Sequence, residues 1–253
     1  MMYSVISWLS ASIIETSVLY PLDVAVTRLQ TSPIYVPARS ASSIIARLYT
    51  NRILYNGFIP HMASNIPLLS FRYFAAQKVN IKQHALPAAA LAGAAFGAIE
   101  GAIITPFEAI KIPMQVAESR MSLREGFKSV TQNGTDYRGL FRGLLPTVAR
   151  QSIYGTVTFS SVKLLGDIQN RDVASGASHL GVCCFISAMT IIIGNPLDVI
   201  KARSQSLLQF PSITKRHLFA GLPIKLWRVT LGTGILMMVY DEIARFPKTL
   251  TSH

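Results

Sequence analysis

Charge is what this sequence has least of. Only 14% of its 253 residues are Asp, Glu, Lys or Arg, against about 25% in an ordinary soluble domain. Acids are scarcest, 12 against 24 basic residues, for a formal net charge of +12. With half the residues hydrophobic, a membrane is the first environment to expect. Cysteine is nearly missing. Cys183 and Cys184 are adjacent, a spacing that ordinary disulfide geometry does not accommodate. Lying in the apolar run from Leu180 to Ile193, they read as two small buried hydrophobes. Zinc-type Cys/His spacing is lacking. So are a nucleophile–base pair and a glycine-rich phosphate loop, so catalysis is not indicated and no cofactor is expected. His61 and Tyr154 stand singly on apolar segments and read as structural. No run of five Lys or Arg and no basic stripe interleaved with aromatics occurs, which speaks against nucleic acid. An anionic solute or anionic lipid headgroups suit the positive excess better. The first residues, Met1-Met2-Tyr3-Ser4-Val5-Ile6, resemble neither an Arg-rich amphipathic leader nor a secretory signal. The apolar stretch up to Tyr20 is therefore expected to belong to the fold.

What is present is a threefold internal repeat. Pro21-Leu22-Asp23-Val24-Ala25-Val26-Thr27-Arg28-Leu29-Gln30 aligns without gaps with Pro106-Phe107-Glu108-Ala109-Ile110-Lys111-Ile112-Pro113-Met114-Gln115. Both align with Pro196-Leu197-Asp198-Val199-Ile200-Lys201-Ala202-Arg203-Ser204-Gln205. The prolines are 85 and 90 residues apart, each followed by an acid two later and a glutamine nine later. Apolar runs precede the motifs at Val5 to Tyr20, Leu86 to Thr105 and Leu180 to Asn195. Each nears the roughly 20 residues a helix needs to cross a bilayer. A second apolar segment comes after the motif in each unit, at Ile59 to Gln77, Leu144 to Leu165 and Leu222 to Ala244. The second segments are announced by Tyr55-Asn56-Gly57, Phe141-Arg142-Gly143 and Phe219-Ala220-Gly221, where glycine suits a turn closed to other residues. Polar linkers lie at about 31–54, 116–140 and 206–218. Gly93, Gly97 and Gly101 recur at four-residue steps, spacing that lets helix backbones approach closely in lipid. The expected fold is all-α and membrane-embedded: six transmembrane helices in three pseudo-symmetric two-helix repeats, 1–85, 86–172 and 173–253, around a central cavity.

The tripled signature resembles that of the mitochondrial carrier family, and the resemblance covers the whole chain. It implies six tilted helices enclosing a cavity that opens alternately to either side of the mitochondrial inner membrane. A monomer suffices, because one chain encloses the path. Pro21, Pro106 and Pro196 would kink the first helices so that they converge. The acids and bases beyond the kinks would form a matrix-side gate: Asp23 with Lys111, and Glu108 with Lys201. Asp198 should meet a base at position 26, but Val26 stands there, and Pro113 replaces a second base. Two ion pairs are thus expected instead of three, with Gln30, Gln115 and Gln205 bracing the ring from below. The alternative, acids that merely cap helix turns, fits the repeated geometry poorly, since unpaired charge at membrane depth is costly. A cytoplasmic gate would fall on Gln77, Lys163 and Asp241. It is worn, which should favour the state open to the cytoplasm. Gly57, Gly143 and Gly221 stand where the family binds acidic, cardiolipin-like lipid.

The same resemblance places substrate contacts seven and eight residues past each turn glycine, at Ser64 and Asn65, Arg150 and Gln151, and Arg228 and Val229. Arg72 is a further candidate cation. Arginine at membrane depth needs an anionic partner, and its guanidinium grips a carboxylate or phosphate through two hydrogen bonds. A competing reading pairs these arginines with internal acids such as Glu15 or Glu100, and has Arg72 snorkelling to the interface. Tyr20-Pro21-Leu22-Asp23-Val24 and Pro106-Phe107-Glu108 look like the oxodicarboxylate carriers. Gly194-Asn195-Pro196-Leu197-Asp198-Val199-Ile200-Lys201, Arg228-Val229 and Tyr240-Asp241-Glu242 look like the citrate carriers. The resemblance therefore implies a small di- or tricarboxylate as solute. A carrier of another anion, nucleotide or phosphate, is the alternative of the same class. A degenerate homologue with a non-transport, nucleic-acid-associated role is the alternative of another.

Overall fold

A computed structural model describes the backbone of residues 2–32, 41–78, 85–169, 176–206, 215–232 and Ile235. It describes their side chains except at 2–9, 41, 66, 69–70, 72–78, 162–163, 165–169, 176–184 and 216. Every long element among the described residues is helical. In chain order these are α1 Met2–Gln30, α2 Ala41–Thr50, α3 Phe58–Lys78, α4 Leu86–Val116, α5 Leu123–Val130, α6 Leu144–Gln169 and α7 Gly176–Gln205. A further helix, α8, comes next at 222–232.

The apolar runs that end in the proline motifs become α1, α4 and α7, here called the motif helices. Each continues through its proline and ends at or next to the motif glutamine. A helix lacking one backbone donor survives here because the remaining turns on both sides are long enough to hold it. The second apolar segments become the return helices α3, α6 and α8. Among the described residues, two stretches are long and apolar enough by themselves to cross a membrane, Leu86–Val116 and Phe185–Gln205. Ile13, Val18, Leu91, Phe185, Ile193 and Trp227 are large hydrophobic side chains on the outside, as expected of a surface facing lipid.

Each return helix starts at its glycine. Gly57, Gly143 and Gly221 have φ of +79°, +76° and +74°, a region where a side chain is strained. Space is short as well: a Cβ on Gly57 would lie 2.9 Å from the carbonyl oxygen of Lys111. Before the first turn, Tyr20, Val24, Leu48 and Ile53 form a buried cluster that pins α2 against α1. In the second linker α5 opens with a capping box: Ser122 and Glu125 each bond the other's backbone amide. Hydrogen bonding from Ser122 to the carboxylate, its backbone amide first, favours the ionised form and holds Glu125 below the usual carboxylate range.

The helices form a closed circuit. α4 packs on α6 within one hairpin, α3 meets α4, and α6 meets α7. Arg228 on α8 reaches Glu15 and Asp23 on α1, which closes the ring. The three motif helices also touch one another pairwise. The α4–α6 contact is the tightest. Backbone meets backbone there because Gly93, Gly97 and Gly101 face Gly155, Gln151 and Val148. Phe71, Phe96 and Phe159 stack beside it, with centroids 5.6 and 5.5 Å apart.

Candidate functional site: a charged floor where the motif helices meet

Two residues past each proline, the acids of α1, α4 and α7 point at the place where these helices converge. Glu108 is met by Lys201 of α7, Nζ to Oε1 2.5 Å, and by Arg150 of α6, Nη2 to Oε1 3.7 Å. Arg150 also reaches Asp198, Nη1 to Oδ1 3.2 Å, so one guanidinium bridges two acids. The second oxygen of Asp198 takes Lys225 Nζ and, at 3.2 Å, the Tyr154 hydroxyl. Lys225 in turn donates to that hydroxyl at 3.0 Å. The Tyr154 ring lies against both cations, 5.3 Å from the Arg150 guanidinium and 5.7 Å from Lys225 Nζ. Tyr154 fits this narrow place because its ring lies over Gly194, where a Cβ would come within 2.4 Å of it.

On the opposite side Arg228 holds Asp23, Nε to Oδ1 2.9 Å, and Glu15, Nη1 to Oε1 3.3 Å. Lys111 contacts His61 Nδ1 at 3.0 Å and lies 5.7 Å from the centre of the Tyr20 ring. Among the described residues, Lys111, Arg150, Lys201, Lys225 and Arg228 are thus five cationic groups on this floor, against the four carboxylates Glu15, Asp23, Glu108 and Asp198. Arg150 Nε has no hydrogen-bond partner among the described residues. An unused guanidinium donor of this kind can serve an anion.

Several expectations change here. Asp23 is not ion-paired with Lys111. Arg228 occupies its oxygens, because α8 lies against α1 and its longer side chain arrives first. Of the two expected pairs Glu108–Lys201 forms and Asp23–Lys111 does not, yet every motif acid meets a base, Asp23 through Arg228 and Asp198 through Lys225 and Arg150. The expectation counted only bases on the motif helices, whereas Lys225 and Arg228 come from a return helix. The arginines expected at substrate contacts are bound to acids of the floor. Glu15, the internal partner considered for them, does meet Arg228.

Gln30 and Gln115 line a cavity of about 130 Å³ beneath the floor, together with Val26, Thr27 and Lys111. The amides, however, are used elsewhere. Gln115 donates to the Tyr20 hydroxyl and accepts from Thr27. Gln205 donates to the Arg142 carbonyl. Arginines tie the helix ends instead. Arg28 donates to the carbonyls of Gln115 and Ala117, and Arg203 to those of Gln30 and Ser32. Pro113 removes the third such tie.

Ser64 is buried and donates to the His61 carbonyl of its own helix at 2.7 Å. Gln151 is buried, with its amide 3.5 Å from Glu100. Asn65 and Val229 are half-buried. The side chains of Arg72, Gln77 and Lys163, and all of Asp241, lie outside the described residues.

Sequence reasoning missed Lys225 and set Tyr154 and His61 aside as structural. A signal was available for two of them: Lys225 and His61 both stand four residues past a turn glycine, one turn into a return helix and level with the motif acids.

Helix hairpins in a closed circuit, with converging proline-motif helices and a charged floor, are compatible with the all-α fold of a membrane carrier. The family profile described as "Mitochondrial carrier protein" matches residues 1–81 and 82–172, and the chain belongs to that family. It is 25% identical to the mitochondrial 2-oxodicarboxylate carrier of Mus musculus, over 92% of this chain and 90% of that one. It is also 25% identical to mitochondrial 2-oxodicarboxylate carrier 2 of Saccharomyces cerevisiae, over 98% and 94%. A tricarboxylate transporter of Gibberella moniliformis is 26% identical over 96% and 88%.

Proposed function

We propose that this protein carries a small di- or tricarboxylate across the mitochondrial inner membrane by alternating access, its six long helices spanning the bilayer as three repeats, 1–85, 86–172 and 173–253. The single observation behind the reading is that Arg150 and Arg228 already hold carboxylates, those of Glu108, Asp198, Asp23 and Glu15. A solute bearing two or more carboxylates offers the same chemistry and competes for the same guanidinium groups. Its binding weakens the ties among the motif helices, and that differential affinity is what shifts a two-state equilibrium. Glu108–Lys201, with the other acid–base contacts of the floor, then acts as the matrix gate. Pro21, Pro106 and Pro196 serve as its hinges, and Gln77, Lys163 and Asp241 form a weaker gate on the cytoplasmic side. Because Arg150 and Arg228 lie on two faces and Ser64 and Asn65 on the third, the cavity favours an anion with its carboxylates towards one end. A cavity of about 790 Å³ beside Gly57, lined by Arg52, Arg120 and Tyr55, suits an acidic lipid.

The test is uptake by the purified protein in liposomes, against labelled 2-oxodicarboxylates, citrate, phosphate and nucleotides. Carboxylate uptake that falls at least tenfold when Arg150 and Gln151 are replaced by Gly and Ile is the expected result. Uptake of nucleotide or phosphate, indifferent to that replacement, would point to the other anion class. No uptake of any anion, beside a working carrier control, refutes transport.

A further inference from the structure

The motif of the third repeat lacks its expected partner. Asp198 stands two residues past Pro196, and the position on α1 that should supply its base is Val26. Yet Asp198 is buried and fully engaged: Arg150 takes Oδ1, while Lys225 and Tyr154 take Oδ2. Arg150 cannot do this alone, because the same guanidinium also serves Glu108. Val26, Asp198 and Lys225 line one cavity, so the apolar side chain and the substitute base border the same space.

Resting on the transport reading above, we propose that Lys225 is the third base of the gate, doing from α8 what position 26 would do from α1, with Tyr154 as the positioning residue that holds its ammonium on Asp198. Three observations support it together. Lys225 is one turn into α8, four residues past Gly221, so its side chain arrives level with the acids. Tyr154 bonds both members of the pair and covers Lys225 with its ring. The Tyr154 ring reaches this place because Gly194 has no side chain there: a Cβ would come within 2.4 Å of it. There is a structural consequence. Glu108–Lys201 crosses between the second and third repeats, whereas Asp198–Lys225 lies within the third. Among the described residues no motif acid–base pair then links α7 directly to α1; Arg203 ties those two helices through the Gln30 and Ser32 carbonyls, and Arg228 of α8 ties the third repeat to Asp23.

The experiment reads the gate without using transport, so that its failure is distinct from failure of the carboxylate reading. In a background with Cys183→Ser and Cys184→Ser, a reporter Ala202→Cys is placed at the buried wall of the gate cavity. Its alkylation by a small charged maleimide is timed in detergent without substrate, beside the thermal midpoint. Lys225→Met is expected to speed alkylation at least fivefold and to lower the midpoint. Lys225→Arg should stay within about twofold of the parent, since it keeps the charge. The decisive variant is Lys225→Met with Val26→Lys, which returns the base to α1 and should restore slow alkylation. Unchanged alkylation in Lys225→Met, with only a raised KM for uptake, would make Lys225 a substrate contact and overturn the proposal. So would a double variant that alkylates as fast as Lys225→Met. Where Lys225→Met does not fold, the double variant decides alone: it folds with slow alkylation if the proposal holds, and fails likewise if it does not.

Discussion

Replacing Gly97 by alanine adds one methyl group to α4 at the point where it crosses α6. That methyl would sit 2.0 Å from the carbonyl oxygen of Gln151, 2.5 Å from its carbonyl carbon and 2.8 Å from Cα of Ser152. All three atoms are backbone, so no side chain can swing aside. Restoring ordinary contact, about 3.4 Å and beyond, requires the helices to part by roughly 1.4 Å. The same movement opens the reciprocal contact of Gly93 and Gly155, whose added Cβ atoms would each lie under 2.5 Å from the other's carbonyl oxygen. Overpacking of this kind costs about 1–3 kcal/mol in ordinary cores, and rigid atoms on both sides put this site near 3. For a chain of this size that lowers the thermal midpoint by about 6–12 °C. Function should suffer more than stability alone explains, because Arg150 and Gln151 ride on the same turn of α6. A shift near 1 Å would stretch Arg150 away from Asp198, now 3.2 Å distant. The assay is thermal unfolding of the detergent-solubilised protein, with uptake in liposomes measured beside it. Ala95→Leu, on the exposed face of the same helix, is the control and should move the midpoint by about 1 °C or less. A Gly97→Ala protein with the parent's midpoint and uptake would refute the claim that this close approach sets the geometry of the floor.

Two further outcomes are expected. Removing the charge from either member of one tie, Glu108→Gln or Lys201→Met, should cut uptake at least tenfold, because each leaves a buried charge short of its partner, whereas Glu108→Asp, which keeps a carboxylate facing Lys201 and Arg150, should keep at least a tenth of parental uptake; full uptake in both neutral variants would sink the pairing as a functional tie. The second concerns pH. Glu125 is held below the usual carboxylate range by its hydrogen bonds to Ser122, so the capping box contributes above the unfolded-state value, about 4.3, and its contribution fades as pH falls through the lower folded value. Hydrogen exchange of the α5 amides, corrected for intrinsic rates, should show protection that is flat at neutral pH and lost on that acid side; Glu125→Ala should remove the pH dependence, and its persistence would show that another group titrates.

The sequence alone determined the repeat and, through it, most of the helical architecture. Three copies of one proline motif, each after an apolar run and each succeeded by aromatic–x–glycine, define three hairpins wherever they lie in space. Periodicity in sequence also located the glycine stripe of α4, since residues four apart share a helix face. The turn glycines were legible for a local reason as well: a positive φ is a property of one residue and its neighbours. Hidden from the sequence was which base meets which acid. That depends on how close one helix comes to another and on the reach of each side chain. Arg228 beats Lys111 to Asp23 because α8 lies against α1, and Asp198 is satisfied by Lys225 because α8 begins beside α7. Equivalent positions in a threefold pattern predict equivalent partners only while every repeat keeps the same residues. Val26 and Pro113 break that equality, and the tertiary packing decides how the charges left over are neutralised.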